Sequence, residues 1–407
     1  MSEVKNYNIK EILIKKFILL HYNILNGVLN FFKRILFGNE KNIDAKKILI
    51  FRTGSLGDSV CALPAIYAIR KNFPDAQIDI LTNAGAENLV SLGALIDRTI
   101  VNEIINYFGM PKKDLYKKLK EKKYDLFVQL PQYGAAWFRQ LRDIFIAKAL
   151  GVKFAFGWQI GSTQFLAKYQ AKFIKFKNER DRLIGILERN ELKSFGLVYP
   201  LGFTDDIKKK VENFILSKFN NESPELSVTL SEVEGRGTMD EGESLSDKQS
   251  NIGMVVGAKR PQNRWPIEYF KEVAEYLLNK KYNILLFGGP EDFELAEQIR
   301  GERVFNFCGK LSPLETAEMM KYCKLIISND TGPMHLAYAV GTPLIAIFSS
   351  RDYAGKWFPP ENGKNIVFRN NDVYCANCFN EEVNENKCLK SIQPNEIMKK
   401  FMIADVS

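Results

Sequence analysis

Two textures alternate along this 407-residue chain. Between residues 9 and 37, Leu13, Phe17, Leu20, Ile24, Val28, Phe31 and Ile35 recur at steps of three and four, the spacing of one helix face. Lys10, Lys15, Lys16, Lys33 and Arg34 interrupt the apolar runs, and Glu11 is the only acid. With no stretch of about 18 uncharged apolar residues, a spanning helix is not expected. The pattern predicts a basic amphipathic helix lying in the headgroup layer of a membrane. It is equally compatible with a helix packed on its own domain or on a second subunit.

From residue 47 the texture becomes short apolar runs separated by helical stretches. Strands are predicted at 47–51, 78–81 and 125–128, with helices at 61–71 and 112–122. A second series places strands at 252–256, 283–287, 325–328 and 344–348. Strands spaced by helices of this length imply parallel sheets with right-handed crossovers. Two such α/β sheets in one chain place a ligand cleft between them, at the carboxyl ends of the strands. Between the halves, residues 221–250 hold eight acids against Arg236 and Lys248, with no aromatics, the composition of a solvated loop. The expected divisions are a basic helical segment (1–46), an α/β domain (47–200), a linker helix with the acidic loop (201–250), a second α/β domain (251–390) and a C-terminal helix (391–407).

Length supports two hydrophobic cores, and 46% hydrophobic with 26% charged residues is ordinary for a globular protein. Six cysteines are too few for a disulfide scaffold, and no cleavable signal pattern opens the sequence, so a reducing cytoplasm is the expected compartment. Lys and Arg number 57 against 48 Asp and Glu, a net +9, which suits a phosphate-bearing partner or an anionic membrane. With His21 and His335 the only histidines, a His-rich metal centre is excluded.

Three constellations follow predicted strands. Phe51-Arg52-Thr53-Gly54-Ser55-Leu56-Gly57-Asp58-Ser59 lets the backbone approach a ligand and opens a helix with unpaired N–H groups. Asp58 is there either a helix cap or a general base, in a field that favours a carboxylate. Ser328-Asn329-Asp330-Thr331-Gly332-Pro333-Met334-His335 offers a second helix start suited to a diphosphate. His335 is expected to point toward the same mouth, although a lone helical histidine is commonly a core residue. Lys259, Arg260 and Arg264 follow the strand at 252–256 and suit a leaving diphosphate. Gly289 and Glu291 turn from strand to helix, with Glu291 either a ribose acceptor or a residue favouring the helix start. Cys375, Cys378 and Cys388 could hold zinc only with a fourth ligand, for which Cys308 and Cys323 are distant candidates. No two aspartates fall two apart to hold a divalent metal on a diphosphate, and there is no P-loop, no G-x-S-x-G elbow and no aromatic–basic stripe for nucleic acid.

Together the motifs resemble the heptosyltransferase family, glycosyltransferase family 9, of lipopolysaccharide core assembly. The carrying residues are those from Ile48 to Asp58 with Leu63-Pro64-Ala65, then Arg264-Trp265-Pro266, Phe307-Cys308-Gly309-Lys310, Ser328 to Ala337 and Gly341-Thr342-Pro343. The resemblance implies a GT-B architecture: two facing Rossmann-like domains, the acceptor on the first and a nucleotide sugar on the second. It implies inverting, metal-independent transfer, typically of heptose from ADP-heptose, to a lipid-linked saccharide, with no cofactor and no nucleic acid. By the family's pattern Asp58 is the base, with Ser55 and Gly57 beside the acceptor. Asp330, Thr331, Gly332 and His335 would meet the donor near its diphosphate, Lys259 and Arg264 its phosphates, and Gly289 and Glu291 its ribose end. Residues 9–37 would hold such an enzyme on the inner face of the cytoplasmic membrane. Asn263 stands where the family commonly has a lysine, and Ser349-Ser350-Arg351 replaces a Gly-Pro-Thr-like turn. The competing readings are a GT-B nucleotide-sugar epimerase or hydrolase, and a non-catalytic nucleotide-sugar-binding scaffold.

Overall fold

Five parallel strands form the first sheet: β1 (Lys47–Phe51), β2 (Gln77–Thr82), β3 (Glu103–Asn106), β4 (Leu126–Gln129) and β5 (Phe154–Phe156). Their order is β3-β2-β1-β4-β5. The second sheet has six, β6 (Asn251–Val255), β7 (Asn283–Leu286), β8 (Val304–Asn306), β9 (Leu325–Asn329), β10 (Leu344–Ile347) and β11 (Asn365–Phe368), ordered β11-β10-β9-β6-β7-β8. The computed structural model describes residues 8–38, 43–83, 92–163, 165–219, 251–373, 376–379 and 386–406. The acidic stretch 221–250 and Cys375 lie outside the described residues.

The central strands are apolar on both faces because helices cover both. In the first half these are α1 (Ile9–Phe37), α2 (Leu56–Asn72), α3 (Lys112–Glu121), α4 (Trp137–Leu150), α5 (Ala167–Phe173), α6 (Glu179–Glu188) and α7 (Asp205–Phe219). In the second they are α8 (Ile267–Asn279), α9 (Phe293–Ala296), α10 (Pro313–Met320), α11 (Gly332–Ala339), α12 (Lys387–Lys390) and α13 (Pro394–Val406). α7 packs on α10, where Lys210 pairs with Glu315 at 2.5 Å, and α13 sends Ile397 and Phe401 into the core beneath α8.

Strand order fixes where a ligand can sit. The first chain half runs outward from β1 to β3, then restarts on the other side of β1 at β4. The second runs from β6 to β8 and restarts at β9 beside β6. Loops leave in opposite directions at these two switch points and open a crevice at the carboxyl ends of the strands. The segments after β1, β6 and β9 are the ones the sequence singles out. α2 and α11, which start there, pack on each other, and one apolar cluster runs from Ile48 and Ile50 through them to Leu285 and Ile326.

α1 packs on the domain through a side that the sequence pattern did not mark. Ile18, Leu29 and Phe37 are buried against the domain, with Tyr22, Leu25, Phe32 and Leu36 packed on the same cluster or its edge. Tyr22 Oη donates to Gln170 Oε1 at 2.8 Å, and Lys148 Nζ donates to Leu36 O at 2.8 Å. The stripe read from the sequence, Leu13, Phe17, Leu20, Ile24, Phe31 and Ile35, is on the opposite side and exposed. At about 100° per residue, Lys10 flanks one side of this stripe and Lys16 and Arg34 the other. By length and composition α1 is a helix that could cross a membrane. Its contacts with α4, α5 and β5 instead tie one side of it to the α/β domain.

Candidate active site

The loop after β1 is shaped around Asp58. Gly54 has φ +147°, and a Cβ there would lie 2.3 Å from Asp58 Cβ, so only glycine lets the chain pass. Ser55 caps α2, and Asp58, three residues on, turns back: its Oδ2 accepts from Ser55 N–H at 3.0 Å and Ser55 Oγ at 2.9 Å. α2 therefore begins at Leu56, ahead of the predicted residue 61. Beneath it Arg52, 1% exposed, donates through Nη2 to Asp58 O at 2.7 Å and lies 3.4 Å from Asp58 Oδ1. Arg52 also pairs at 3.1 Å with Glu179, itself fully buried and held by Arg182 Nε at 2.7 Å. The Arg52–Glu179–Arg182 triad anchors the loop from below, and sequence reasoning missed it; an arginine directly after a buried strand was its one signal.

Across the crevice, the second sheet supplies Asp330 just past β9. Asn263 Nδ2 donates to Asp330 Oδ2 at 3.2 Å, and Ser349 Oγ donates to Asn263 Oδ1 at 2.8 Å. Removal from water, and secondarily the charge of Asp352, push the Asp330 carboxyl up to about 7 against the pull of Lys356, Arg351 and Arg260. A cavity of ≈ 260 Å³ joins the two sides, with Ser55 and Asp58 on one wall and Asn263, Asp330 and Ser349 on the other. Arg260, Arg351, Lys356 and Arg369 are its cations. Its volume is below that of a pocket enclosing a whole drug-sized ligand, so it fits the reacting end of a larger molecule.

The segment after β10, from Ser349 to Phe358, was read only as a changed turn. It crosses to the first half: Glu179 N–H donates to Lys356 O at 3.0 Å, and Asn178 Nδ2 donates to Gly355 O at 3.1 Å and Phe358 O at 2.6 Å. Phe176 stacks on Tyr353 at 3.8 Å. The same segment brings Arg351, Asp352 and Lys356 into the cavity, with Lys356 Nζ 3.1 Å from Asp352 Oδ2.

The other singled-out residues divide in two. Lys259, Arg264, Gly289 and Glu291 stand at the carboxyl ends of β6 and β7, the same edge of the sheet, but outside this cavity's lining. Arg264 Nε donates to Ala258 O at 2.9 Å. Gly57, Gly332 and His335 form the seam between halves. A Cβ on Gly57 would sit 2.7 Å from His335 Cδ2, and one on Gly332 2.9 Å from the Leu56 side chain. His335, expected to face the mouth, is instead 4% exposed, its Nδ1 2.7 Å from Tyr338 Oη and 3.6 Å from Cys61 Sγ. Burial, reinforced by Arg180, pushes the imidazole down to about 3, so it is neutral. Thr331 is the N-cap residue of α11, directly after Asp330 but outside the cavity's lining. Among the described residues no cluster of His, Cys, Asp and Glu is arranged to hold a metal ion. Cys388 is buried, its Sγ accepting from Ser350 N–H at 3.4 Å.

The family profile described as glycosyltransferase family 9 (heptosyltransferase) matches residues 113–389. The chain belongs to glycosyltransferase family 9. Lipopolysaccharide heptosyltransferase 2 of Salmonella typhimurium is 25% identical over 336 residues, covering 79% of this chain and 88% of that protein. Among solved structures, the family 9 glycosyltransferase of Veillonella parvula superposes with TM-score 0.64 at 20% identity, over 89% and 98% of the two chains. The E. coli ADP-heptose lps heptosyltransferase II gives 0.59 at 22% identity, over 88% and 98%. These place the two sheets in the heptosyltransferase fold, the facing arrangement expected from the sequence. The protein is thus a glycosyltransferase.

Proposed function

We propose that this glycosyltransferase transfers heptose, with inversion and without a divalent metal, from ADP-heptose to a lipid-linked saccharide at the inner face of the cytoplasmic membrane. The observation that carries the reading is the cavity that sets Asp58 opposite Asp330 with four cations around them. Asp58 takes the proton of the acceptor hydroxyl, whose oxygen forms a bond to the anomeric carbon as the bond from that carbon to the phosphate oxygen breaks. Single displacement inverts the centre. The departing diphosphate carries the charge a metal would otherwise meet; Arg260, Arg351 and Lys356 oppose it, aided by the N-terminus of α11 at Thr331 and Gly332. Asp330 binds sugar hydroxyls, and Lys259, Arg264, Gly289 and Glu291 extend the donor site toward the nucleotide. Ser55 holds the Asp58 carboxylate, while Gly57 and His335 support it from the seam.

A similarity in name supports the donor: the E. coli relative is an ADP-heptose enzyme. The exposed stripe of α1, flanked by Lys10, Lys16 and Arg34, supports the membrane, since apolar area and basic charge add in binding an anionic leaflet. That surface is extended by Phe145, in ring contact with Phe32, and Phe165, in ring contact with His21.

The test is Asp58→Asn, assayed with ADP-heptose, other ADP-sugars, UDP-sugars and GDP-sugars, with a chelator present. Turnover is expected to fall by about 10²–10⁴ with donor affinity unchanged. Turnover near wild type removes Asp58 as base, and dependence on added metal removes the metal-free reading.

A further inference from the structure

A second cavity, of ≈ 370 Å³, opens where α1 crosses the carboxyl end of β5. Its walls include Asn30 and Lys33 from α1, Trp158 and Gln159 just past β5, and Arg189 just past α6. Four of its eleven lining residues come from α1, which precedes the residues of the family match.

The cavity is lined by two cations and a buried indole donor. Two of its amide acceptors are engaged: Asn26 Oδ1 receives Ile160 N–H at 3.0 Å, and Gln159 Oε1 receives Arg189 Nη2 at 2.6 Å. Trp158 is 8% exposed, and its Nε1 is a buried donor with no hydrogen-bond partner among the described residues. Both ring faces of Trp158 are occupied by aromatics, Phe127 at 5.9 Å and Phe37 at 6.1 Å. No carboxylate is among the residues lining the cavity. Burial lowers the pKa of both Lys33 and Arg189, with Arg34 adding to the first and Arg182 to the second, while Glu188 acts in the opposite sense on Arg189. A lining that brings together Lys33, Arg189 and a tryptophan with an orphaned N–H, and no carboxylate, fits a compact oxyanion.

Position gives this a use. β5 lies two strands from β1, about 10 Å at ordinary strand spacing, and both cavities are at the carboxyl edge of the sheet. We propose that this cavity is a phosphate subsite, formed by Lys33, Trp158 and Arg189, that holds a phosphate group of the lipid-linked acceptor between the exposed face of α1 and Asp58. Its acceptor role rests on the proposed transfer; phosphate binding itself does not.

The chain has four tryptophans, so ¹⁵N-labelled indole groups give four resolvable N–H signals, and Trp158→Phe identifies the one concerned. Inorganic phosphate is expected to move the Trp158 signal saturably with no donor present. Lys33→Gln with Arg189→Gln should weaken that response about tenfold or more, whereas Lys10→Gln with Lys16→Gln, which removes equal charge, should leave it intact. A Trp158 signal that stays put while Trp357 in the first cavity responds overturns the proposal. So does an equal loss in both double variants, which would mean general attraction. Glucose 6-phosphate moving the signal identifies a saccharide-borne phosphate; a response only to phosphatidic acid in phosphatidylcholine bicelles identifies a headgroup. Because no turnover is measured, a chain that binds phosphate here yet fails to transfer sugar separates this subsite from the transfer reading.

Discussion

Replacing Asp330 by asparagine should make the protein more stable above neutral pH while it disables the site. Asp330 carries a carboxyl lifted from 3.8 to about 7 by burial and by Asp352. The folded chain therefore holds a proton that the unfolded chain has released across that interval, and folding stability falls as pH rises from about 4 to 7. Three pKa units at about 1.4 kcal/mol each set a ceiling of about 4 kcal/mol. Because Asp330 is half-buried and faces Lys356, Arg351 and Arg260, screening reduces this to roughly 1–2 kcal/mol. Asparagine keeps an oxygen for Asn263 Nδ2 and has no proton to lose. In urea denaturation, the stability gain of Asp330→Asn over wild type should grow from near zero at pH 4 to a plateau above pH 7. A difference independent of pH, or a variant less stable than wild type at pH 8, refutes the reasoning.

Gly57→Ala puts a methyl 2.7 Å from the His335 ring, which Tyr338 and Cys61 hold from the other side. It should cost roughly 1–3 kcal/mol by denaturation and lower turnover by displacing the start of α2. Arg52→Met leaves Glu179 buried with Arg182 as its remaining side-chain partner; a loss of roughly 3 kcal/mol is expected in the same assay, and a neutral variant would show the triad to be dispensable. Asn263→Lys places a cation beside Asp330 and should lower its pKa by about 1–3 units. The fall in stability between pH 4 and 7 should then flatten; an unchanged pH profile would mean the lysine points away.

What could be read from the sequence follows burial. The seven strands read from apolar runs, β1, β2, β4, β6, β7, β9 and β10, all lie inside their sheets. The four not read, β3, β5, β8 and β11, are the edges, three or four residues long and only partly buried. Edges have one neighbour and one wet side, so no continuous apolar run marks them. α1 has two apolar faces where the sequence showed one: its regular stripe is exposed, and the face that packs on the domain is a less regular mixture of Ile18, Tyr22, Leu25 and Leu29. Periodicity shows that a face is apolar; what covers it is a separate fact.

The site divides along the same line. Asp58, Ser55 and Asp330 were legible because each follows a clear buried strand, and all three meet in the cavity. Arg351, Asp352 and Lys356 were not, because the segment after β10 forms no regular element and its placement depends on contacts with Asn178 and Glu179 far earlier in the chain. The structure also links the two departures from the family pattern. Asn263 in place of a lysine and Ser349 in place of the usual turn are hydrogen-bonded to each other, and Asn263 in turn to Asp330. Ser349 occupies the Asn263 oxygen, which turns the amide nitrogen to the carboxylate, so the two positions act as one hydrogen-bonded unit. Under the proposed transfer, the contacts beside Asp330 are thus rebuilt, while Arg260, Arg351 and Lys356 stand on the cavity wall to oppose the leaving diphosphate.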